Sequence, residues 1–432
     1  MNSPLANDKN KNVVIYINDF YPEFATAFTK LSDRLGRPLR GVMLIDAERK
    51  ANGKNLPDKE GLFEEIVVDF SDDAALSRVL KPLEKNLLLV SCDSERSQLY
   101  FKKVIPHVPY INTPTESSLD YSTDKGKMRE MLSGYNGAIS PKFVAVYEVN
   151  ETVISQILAK ISFPMIIKPT NLAASLLVNK VNDERELRHT LARSFEDLKK
   201  IYAKHRGLGE ATMLVEEFID GDIYSTDAYI NQDGIAYVLP FIYCRNGWMV
   251  GKEGFQIYDS STKVRLTEED IMRGQTIARS AMYAIGLRSS VAHIELFYTK
   301  DGEWKVIELG ARPGGWRQET YEVSYGIDHA LNELLVKVGL EPDMPTAMKE
   351  YSATFRIHAP KEGKVTAIEG IEDAKHHPAM HTLRVDVKVG DEVLPCARGG
   401  DMLIGGLMHS NKLERLTQEI DAVRNSINII VE

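Results

Sequence analysis

Along residues 1–112, short apolar runs alternate with stretches whose apolar positions recur at the helical period. Residues 13–17, Val-Val-Ile-Tyr-Ile, follow a polar tail and read as a buried strand. Phe24, Phe28, Leu31 and Leu35 then mark a helix across residues 20–35. Strands at 39–45, 65–70 and 86–91, with a helix over 74–83, complete an alternation that predicts a parallel α/β sheet. The first strand runs into Asn18-Asp19-Phe20 and not into a glycine-rich turn, so a dinucleotide fingerprint is missing there.

Further on, Ser122-Thr123-Asp124 supplies N-cap chemistry for a helix over 125–132, and Asn150 does so for one over 151–161. An apolar strand at 163–168 ends in Lys168 and Pro169. A strand returns at 176–181, and an amphipathic helix with Leu187, Leu191, Leu198 and Ile201 runs from Asn182 toward Gly207. From Ala211 the pattern becomes antiparallel, with strands at 213–218, 223–230 and 235–243 and a turn at 231–234. Thr267-Glu268-Glu269-Asp270 is a variant capping box before a helix to Ile285. Residues 292–298 and 303–309 flank Asp301-Gly302 and form the most legible hairpin of the chain. A helix over 329–338 follows. Residues 346–432 read as a small α/β unit, with strands near 353–357 and 383–389 and a last helix near 412–426. The pattern predicts an N-terminal domain at 1–112, a central domain at 113–345 with a subdomain at 141–206, and a C-terminal subdomain at 346–432.

Composition narrows the function. The chain has 432 residues, 43% hydrophobic and 27% charged, with a net charge of −9. A general nucleic-acid binder would carry a basic face, so no nucleic-acid partner is expected. An acidic protein that handles a polyanion must gather its positive charge locally or recruit a metal. Cys92, Cys244 and Cys396 are far apart, without disulfide or metal spacing. The polar N-terminus has no signal-peptide pattern, and no apolar run is long enough to span a membrane. A cytoplasmic location is expected.

The chemistry is carried by the hairpin. A two-residue turn at Asp301-Gly302 places Glu295 opposite Glu308 and His293 opposite Gly310. Side chains alternate along a strand. His293, Glu295, Val306 and Glu308 are then expected on one face, with Ile294, Leu296, Ile307 and Leu309 on the core face. Two carboxylates about 5 Å apart destabilise a sheet unless something neutralises them. Mg²⁺ or Mn²⁺, completed by nucleotide phosphates, is the simplest answer; a water-exposed face is the alternative. The glycine-rich turn Gly310-Ala311-Arg312-Pro313-Gly314-Gly315 follows directly. Its Arg312 can grip a phosphate or a carboxylate. Lys168 at a strand end and Lys125 at a helix N-terminus are candidate phosphate ligands, and Lys127 competes with Lys125. On this reading Glu308→Gln should leave the metal-free protein no less stable, because repulsion from Glu295 is relieved.

Taken in order, Asp124-Lys125, Ile166-Ile167-Lys168-Pro169, Glu216-Glu217-Phe218-Ile219-Asp220-Gly221, His293-Ile294-Glu295 and Glu308 to Gly315 resemble the ATP-grasp superfamily over residues 113–340. The resemblance implies an α/β ATP-grasp fold: a parallel α/β domain before it, two lobes that clasp a nucleotide, and a C-terminal α/β appendix. It implies that Lys125 and Lys168 contact ATP phosphates, and that Glu216, Glu217, Phe218 and Ile219 form the adenine hinge. Glu295 and Glu308 would hold Mg²⁺, and Arg312 would sit near the transferred phosphoryl group or the substrate carboxylate. The branch it looks most like is the carboxylate–amine ligases, such as L-amino-acid ligases and carnosine-synthase-like enzymes. Their small-molecule partners are a carboxylic acid and an amine, amino acids among them, and the subunits of a homodimer are an admissible partner. Another ATP-grasp chemistry, carboxylase-like or kinase-like, and a regulatory nucleotide-binding module are the rival readings.

Three positions depart from the superfamily pattern. Residues 170–175 contain no glycine, and Gly310 replaces an asparagine expected two residues after the second metal glutamate. Ile223 stands where a ribose-binding acid is expected, which leaves Asp220 or Asp222 as substitutes.

Overall fold

The computed structural model describes residues 3–20, 23–53, 63–92, 94–172, 175–204, 211–252, 254–344, 347–396 and 400–432. The N-terminal sheet is parallel. Its strands are β1 (Val13–Ile17), β2 (Arg40–Asp46), β3 (Phe63–Val68) and β4 (Leu87–Ser91), in the order β3-β2-β1-β4. All five residues of β1 are buried, because helices cover both faces of a parallel sheet and such strands read as continuous apolar runs.

A second sheet is antiparallel, built from β5 (Phe143–Val146), β6 (Met165–Pro169), β7 (Asn179–Val181) and β8 (Met213–Glu217) in the order β5-β8-β6-β7. Helices Glu151–Lys160 and Glu184–Lys204 cover one face, where Met165, Ile167, Met213 and Val215 pack with Ile154, Ile157, Leu187 and Leu191. The expected end of the second helix near Gly207 lies outside the described residues. Asn150 caps the first helix as expected, its side chain accepting from Val153 N.

The largest sheet has nine strands: β9 (Gly221–Ile230), β10 (Ala236–Val238), β11 (Ile242–Asn246), β12 (Ile257–Ser261), β13 (Ser290–Thr299), β14 (Trp304–Gly310), β15 (Tyr351–Ile357), β17 (Met380–Val385) and β19 (Ile404–Ser410). Their order is β14-β13-β9-β11-β12-β15-β19-β17, with β10 on β9. The C-terminal residues therefore extend the central sheet, and they also form a three-stranded sheet of β16 (Gly363–Glu369), β18 (Glu392–Val393) and β20 (Asn428–Val431). The single strand expected at 235–243 is two strands, interrupted at Leu239-Pro240-Phe241. Proline has no N–H to give a ladder, so pairing breaks there. The strand expected at 383–389 begins and ends earlier, at Met380 and Val385.

The hairpin pairs Glu295 with Glu308 and His293 with Gly310, as the turn predicted, but by a different route. At the tip Thr299 N bonds Glu303 O, so the loop is one residue longer than a two-residue turn. Tyr298 faces Trp304 and Leu296 faces Val306; a bulge between Glu295 and Leu296 then restores the expected register. The bulge exchanges two residues: Val306 packs in the core with Ile294, Leu296 and Leu309, whereas Ile307 packs on the opposite side. A bulge re-aims side chains in this way.

One guanidinium joins these parts. Arg129, on helix Lys125–Asn136, is fully buried. Its Nε donates to Glu216 Oε1 on β8 at 2.5 Å, and its Nη2 donates to the carbonyl of the bulged Ile307 at 2.6 Å. Removing one partner of a buried ion pair leaves the other charge uncompensated. Arg129→Met is therefore expected to lower stability by about 3–5 kcal/mol, read as a lower denaturant midpoint. A midpoint equal to that of the parent would show that the pair holds nothing together.

Candidate active site

Glu295 and Glu308 are direct cross-strand neighbours, so their side chains leave the same face of the sheet. On its other side Glu295 pairs with Ser225 of β9, and His293 pairs with Asp227. His293 Nδ1 lies 2.6 Å from Asp227 Oδ1, and its Nε2 lies 3.3 Å from Glu295 Oε1. Asp227 also receives His329 Nε2 and Gly314 N, each at 2.8 Å. Burial alone would raise the Asp227 carboxyl, but the two imidazoles overturn this and hold it well below the usual carboxylate range. Burial works against a charged His293, yet Asp227 and Glu295 outweigh it and raise its pKa. A Cβ at position 314 would run into the His293 ring, which explains the glycine there.

Positive charge meets the second carboxylate. Asp124 caps the helix that carries Lys125, accepting from Gly126 N and Lys127 N at 2.8 and 3.1 Å. Lys125 Nζ lies 3.2 Å from Glu308 Oε2 and donates to Leu172 O at 3.0 Å. Lys127 is exposed, whereas Lys125 reaches the Glu308 carboxylate. Burial opposes its charge, but Glu308, Glu95 and Glu295 outweigh burial and raise its pKa. Burial would likewise raise the Glu308 carboxyl; Lys125, Arg312 and Lys168 act against it and lower it to about 2. Lys168 and Glu216 share the face of the antiparallel sheet turned away from its helices, with Lys168 Nζ 2.6 Å from Glu216 Oε2. Burial lowers the pKa of Lys168, with Arg129 adding to it and Glu216 partly offsetting it.

Arg312 follows β14. Its Nε and Nη2 donate to Glu95 Oε2 at 3.0 and 2.8 Å. Glu95 stands just beyond β4, at the carboxyl end of the parallel sheet, where open α/β sheets place their ligands. Glu95, Lys125, Glu308 and Arg312 line a small cavity between the N-terminal domain and the central sheet.

The hinge residues divide. The Glu216 side chain is sealed between Arg129 and Lys168, so it anchors cations and offers nothing to a purine. Glu217 Oε1 accepts from Lys142 N at 3.0 Å, and Phe218 N donates to Pro164 O at 3.2 Å. Lys180 Nζ sits 3.7 Å from the centre of the Phe218 ring. Ile219 N has no partner among the described residues. Asp222 is not brought to the site: it pairs with Tyr298, leaves the face opposite to Glu295, and accepts from Tyr243 OH at 3.3 Å. Strand alternation puts Ile223 on the site's face instead. Asp220 is exposed and paired with Lys300 at 2.5 Å. In the glycine-free segment, Ala173 and Ala174 lie outside the described residues, and Ser175 takes the left-handed conformation a glycine would favour, with φ 55°.

Glu95, Asp227, His329 and Arg129 were missed from sequence. The polar residues from Asp93 to Arg96, just after a buried parallel strand, were the available signal for Glu95. The others have no local signature.

Two carboxylates on one face offer hard oxygen donors, and that set fits Mg²⁺ or Mn²⁺ shared with phosphate oxygens. No group of three or more His, Cys, Asp or Glu assembled for a metal occurs among the described residues, so phosphate and water would have to complete the shell.

Residues 161–320 match the ATP-grasp domain family, and residues 356–432 match the L-amino acid ligase C-terminal domain 2. Alanine–anticapsin ligase of Bacillus subtilis (strain 168) is 28% identical over 236 residues, 52% of this chain and 49% of that protein. D-alanine–D-alanine ligase of Proteus mirabilis is 21% identical over 326 residues, 73% and 80% of the two chains. The chain thus spans about half the length of the first curated relatives it matches. Among solved structures, L-amino acid ligase from Bacillus licheniformis superposes with a TM-score of 0.79 at 21% identity, covering 98% of this chain and 100% of that one. Phosphoribosylglycinamide synthetase from Anaerococcus prevotii gives 0.65 at 16% identity, covering 98% and 100%. The fold is that of an ATP-grasp protein. Among the described residues no helix is long and apolar enough to cross a membrane.

The cations around Glu308 reverse the expectation that Glu308→Gln spares stability. Its folded-state carboxyl, at about 2, lies below its ordinary 4.5. The ionised group therefore adds stability above that ordinary value and loses it as pH falls through about 2, an effect on the order of 1–3 kcal/mol. The glutamine variant should melt a few °C lower at neutral pH. The gap should narrow in scanning calorimetry toward about pH 3. A gap that does not change with pH would show that the charge is not its cause.

Proposed function

We propose that this chain, which belongs to the ATP-grasp superfamily, is an ATP-dependent carboxylate–amine ligase. The observation that carries the reading is the cross-strand pair Glu295 and Glu308, with Lys125 and Arg312 gathered beside it at the edge of the parallel sheet. The names of the relatives add that amino acids are the first candidates for both acid and amine.

In the proposed reaction the carboxylate oxygen of one substrate attacks the γ-phosphorus of ATP. The bond to the β-phosphate oxygen breaks, and ADP leaves with that electron pair. The amine nitrogen of the second substrate attacks the acyl carbon of the resulting acyl phosphate. Phosphate departs, the nitrogen gives up a proton, and an amide remains. Lys125 and Lys168 neutralise phosphate oxygens, and Arg312 faces the charge that develops on the transferred group. Glu295 and Glu308 would hold Mg²⁺ or Mn²⁺, which supplies further charge neutralisation when bound. His293, fixed by Asp227, orients Glu295 through Oε1. Ile219 N–H is the hinge donor left for adenine.

An acyl phosphate is destroyed by water, so the site has to close. The subdomain at 141–206, together with β8, which completes its antiparallel sheet, is the lid in this reading. It meets the rest of the site through Glu216 on Arg129 and through Lys125 N on Thr170 O at 2.7 Å. A cytoplasmic location, where ATP is supplied, goes with this reading.

ADP release from a panel of amino-acid pairs with Mg²⁺ tests the proposal. Release should require both an acid and an amine, and the product mass should equal their sum less one water. Release without an amine would indicate a kinase-like or carboxylase-like enzyme. Nucleotide binding without release would indicate a regulatory module.

A further inference from the structure

Asp227 is fully buried and binds three separate parts of the chain. Its Oδ1 meets Nδ1 of His293, on β13, at 2.6 Å. Its Oδ2 accepts from Gly314 N at 2.8 Å, in the glycine-rich turn two residues after Arg312. The same oxygen meets Nε2 of His329 at 2.8 Å, at the start of helix His329–Lys337. An ionised carboxylate only accepts, so each nitrogen that faces it carries a proton. Asp227 therefore holds two parts of the site together. One is His293, whose Nε2 lies 3.3 Å from Glu295 Oε1, and the other is the turn that bears Arg312.

His329 is as deeply buried, and its Nδ1 has no hydrogen-bond partner among the described residues. Its ring lies 5.2 Å from that of Tyr229 at 80°, and 5.9 Å from that of Tyr321 at 48°. Two aromatic walls thus set the plane of the imidazole and leave Nε2 aimed at Asp227. Glu333 and Lys337 follow at intervals of four residues on the same face of the helix. Ser91 Oγ donates to Glu333 Oε1 at 2.6 Å, and Lys337 Nζ donates to both. All three are buried. Ser91 ends β4, four residues before the Glu95 that binds Arg312. Well-packed apolar residues would hold such a helix at least as firmly, so this polar stripe says more about position than about stability.

We propose that His329 is a positioning residue: through Asp227 and His293 it sets the direction of Glu295 and ties it to the turn that bears Arg312. This rests on the metal role that the ligase reading gives to Glu295. Two carboxylates on neighbouring strands share one cation only if each side chain is held in the matching rotamer. Glu308 is held by Lys125 directly, whereas Glu295 is held by His293. The orientation of that ring depends on Asp227, and Asp227 is fixed from the far side by His329. The reference frame is the parallel sheet, to which Glu333 and Lys337 fasten the helix at Ser91. Removing an outer partner of this kind typically weakens metal binding about 10- to 100-fold.

The test measures Mn²⁺ binding to the full chain with ADP present, by electron paramagnetic resonance, beside ADP binding without metal, by calorimetry. His329→Phe keeps a ring between the two tyrosines and removes the donor. It should weaken Mn²⁺ binding about tenfold or more and leave ADP binding without metal unchanged. His329→Gln, whose amide can donate to Asp227, should keep most of the Mn²⁺ affinity. Unchanged Mn²⁺ binding in His329→Phe overturns the inference. So does an equal loss of Mn²⁺ and ADP, which would report a general loosening, and so does a glutamine variant that loses as much as the phenylalanine one. If His329→Phe does not fold, His329→Met replaces it; if neither folds, the histidine serves the fold alone and the inference is overturned. A parent that binds no Mn²⁺ overturns it as well. ADP release judges the ligase reading separately: a parent that binds Mn²⁺ and ADP but turns over no pair of substrates loses that reading, and the Mn²⁺ affinities still decide the role of His329.

Discussion

The site depends on a buried guanidinium that is not itself expected to touch a substrate. Arg129 lies one helical turn beyond Lys125, binds the Glu216 carboxylate that also holds Lys168, and binds the carbonyl of the bulge directly before Glu308. A planar group with fixed N–H directions can hold three elements at once, which a lysine cannot do. The two candidate phosphate lysines and one candidate metal carboxylate thereby take their places from a single side chain. Because Glu216 is fully enclosed, neither it nor Arg129 can shift without exposing an unpaired charge, and that cost makes the arrangement stiff.

Charge balance explains why the rest is tolerated. Facing glutamates on a sheet should repel. Here one is set against Lys125, Arg312 and Lys168, and the other against His293. The cations are separated in turn by Glu216 and Glu95. Carboxylate and cation alternate through the site, so each charge is compensated locally while the cations stay gathered in one place. An acidic chain can in this way handle a polyanion without a basic surface.

Much of the fold was legible because its signals are local. Val13–Ile17, the cap at Asn150, the capping box at Thr267 and the facing of Glu295 with Glu308 all follow from residues close together in sequence. The facing was correct because two departures cancelled: a longer turn at the tip and a bulge at Ile307. The cancellation fails for Val306 and Ile307, whose faces are exchanged. Pro240 signalled a break in a strand and was passed over within an apolar run. What stayed hidden is non-local. Arg129 reads as an ordinary helical arginine until β8 and β14 are brought to it from distant parts of the chain. Asp227 reads as a lone acid in a strand until His329 arrives from a helix more than a hundred residues later.

Asp222 shows how far alternation can be pressed. Adjacent residues of a strand face opposite ways, so an acid one place from the required position is no substitute, however near it lies in sequence. With Asp222 turned toward Tyr243, Ile223 occupies the face where a ribose acid would stand. The same rule, followed outward from Glu295, meets Ser225 and, through it, Arg317. One face of one sheet thus links the candidate metal carboxylates to the buried Arg317. The opposite face carries the core that holds the strands in register. The Glu295 face packs as well, with Ile223, Tyr229 and Val291 buried against Tyr321 and Tyr325, so its polar groups are set within a second core that holds them in place.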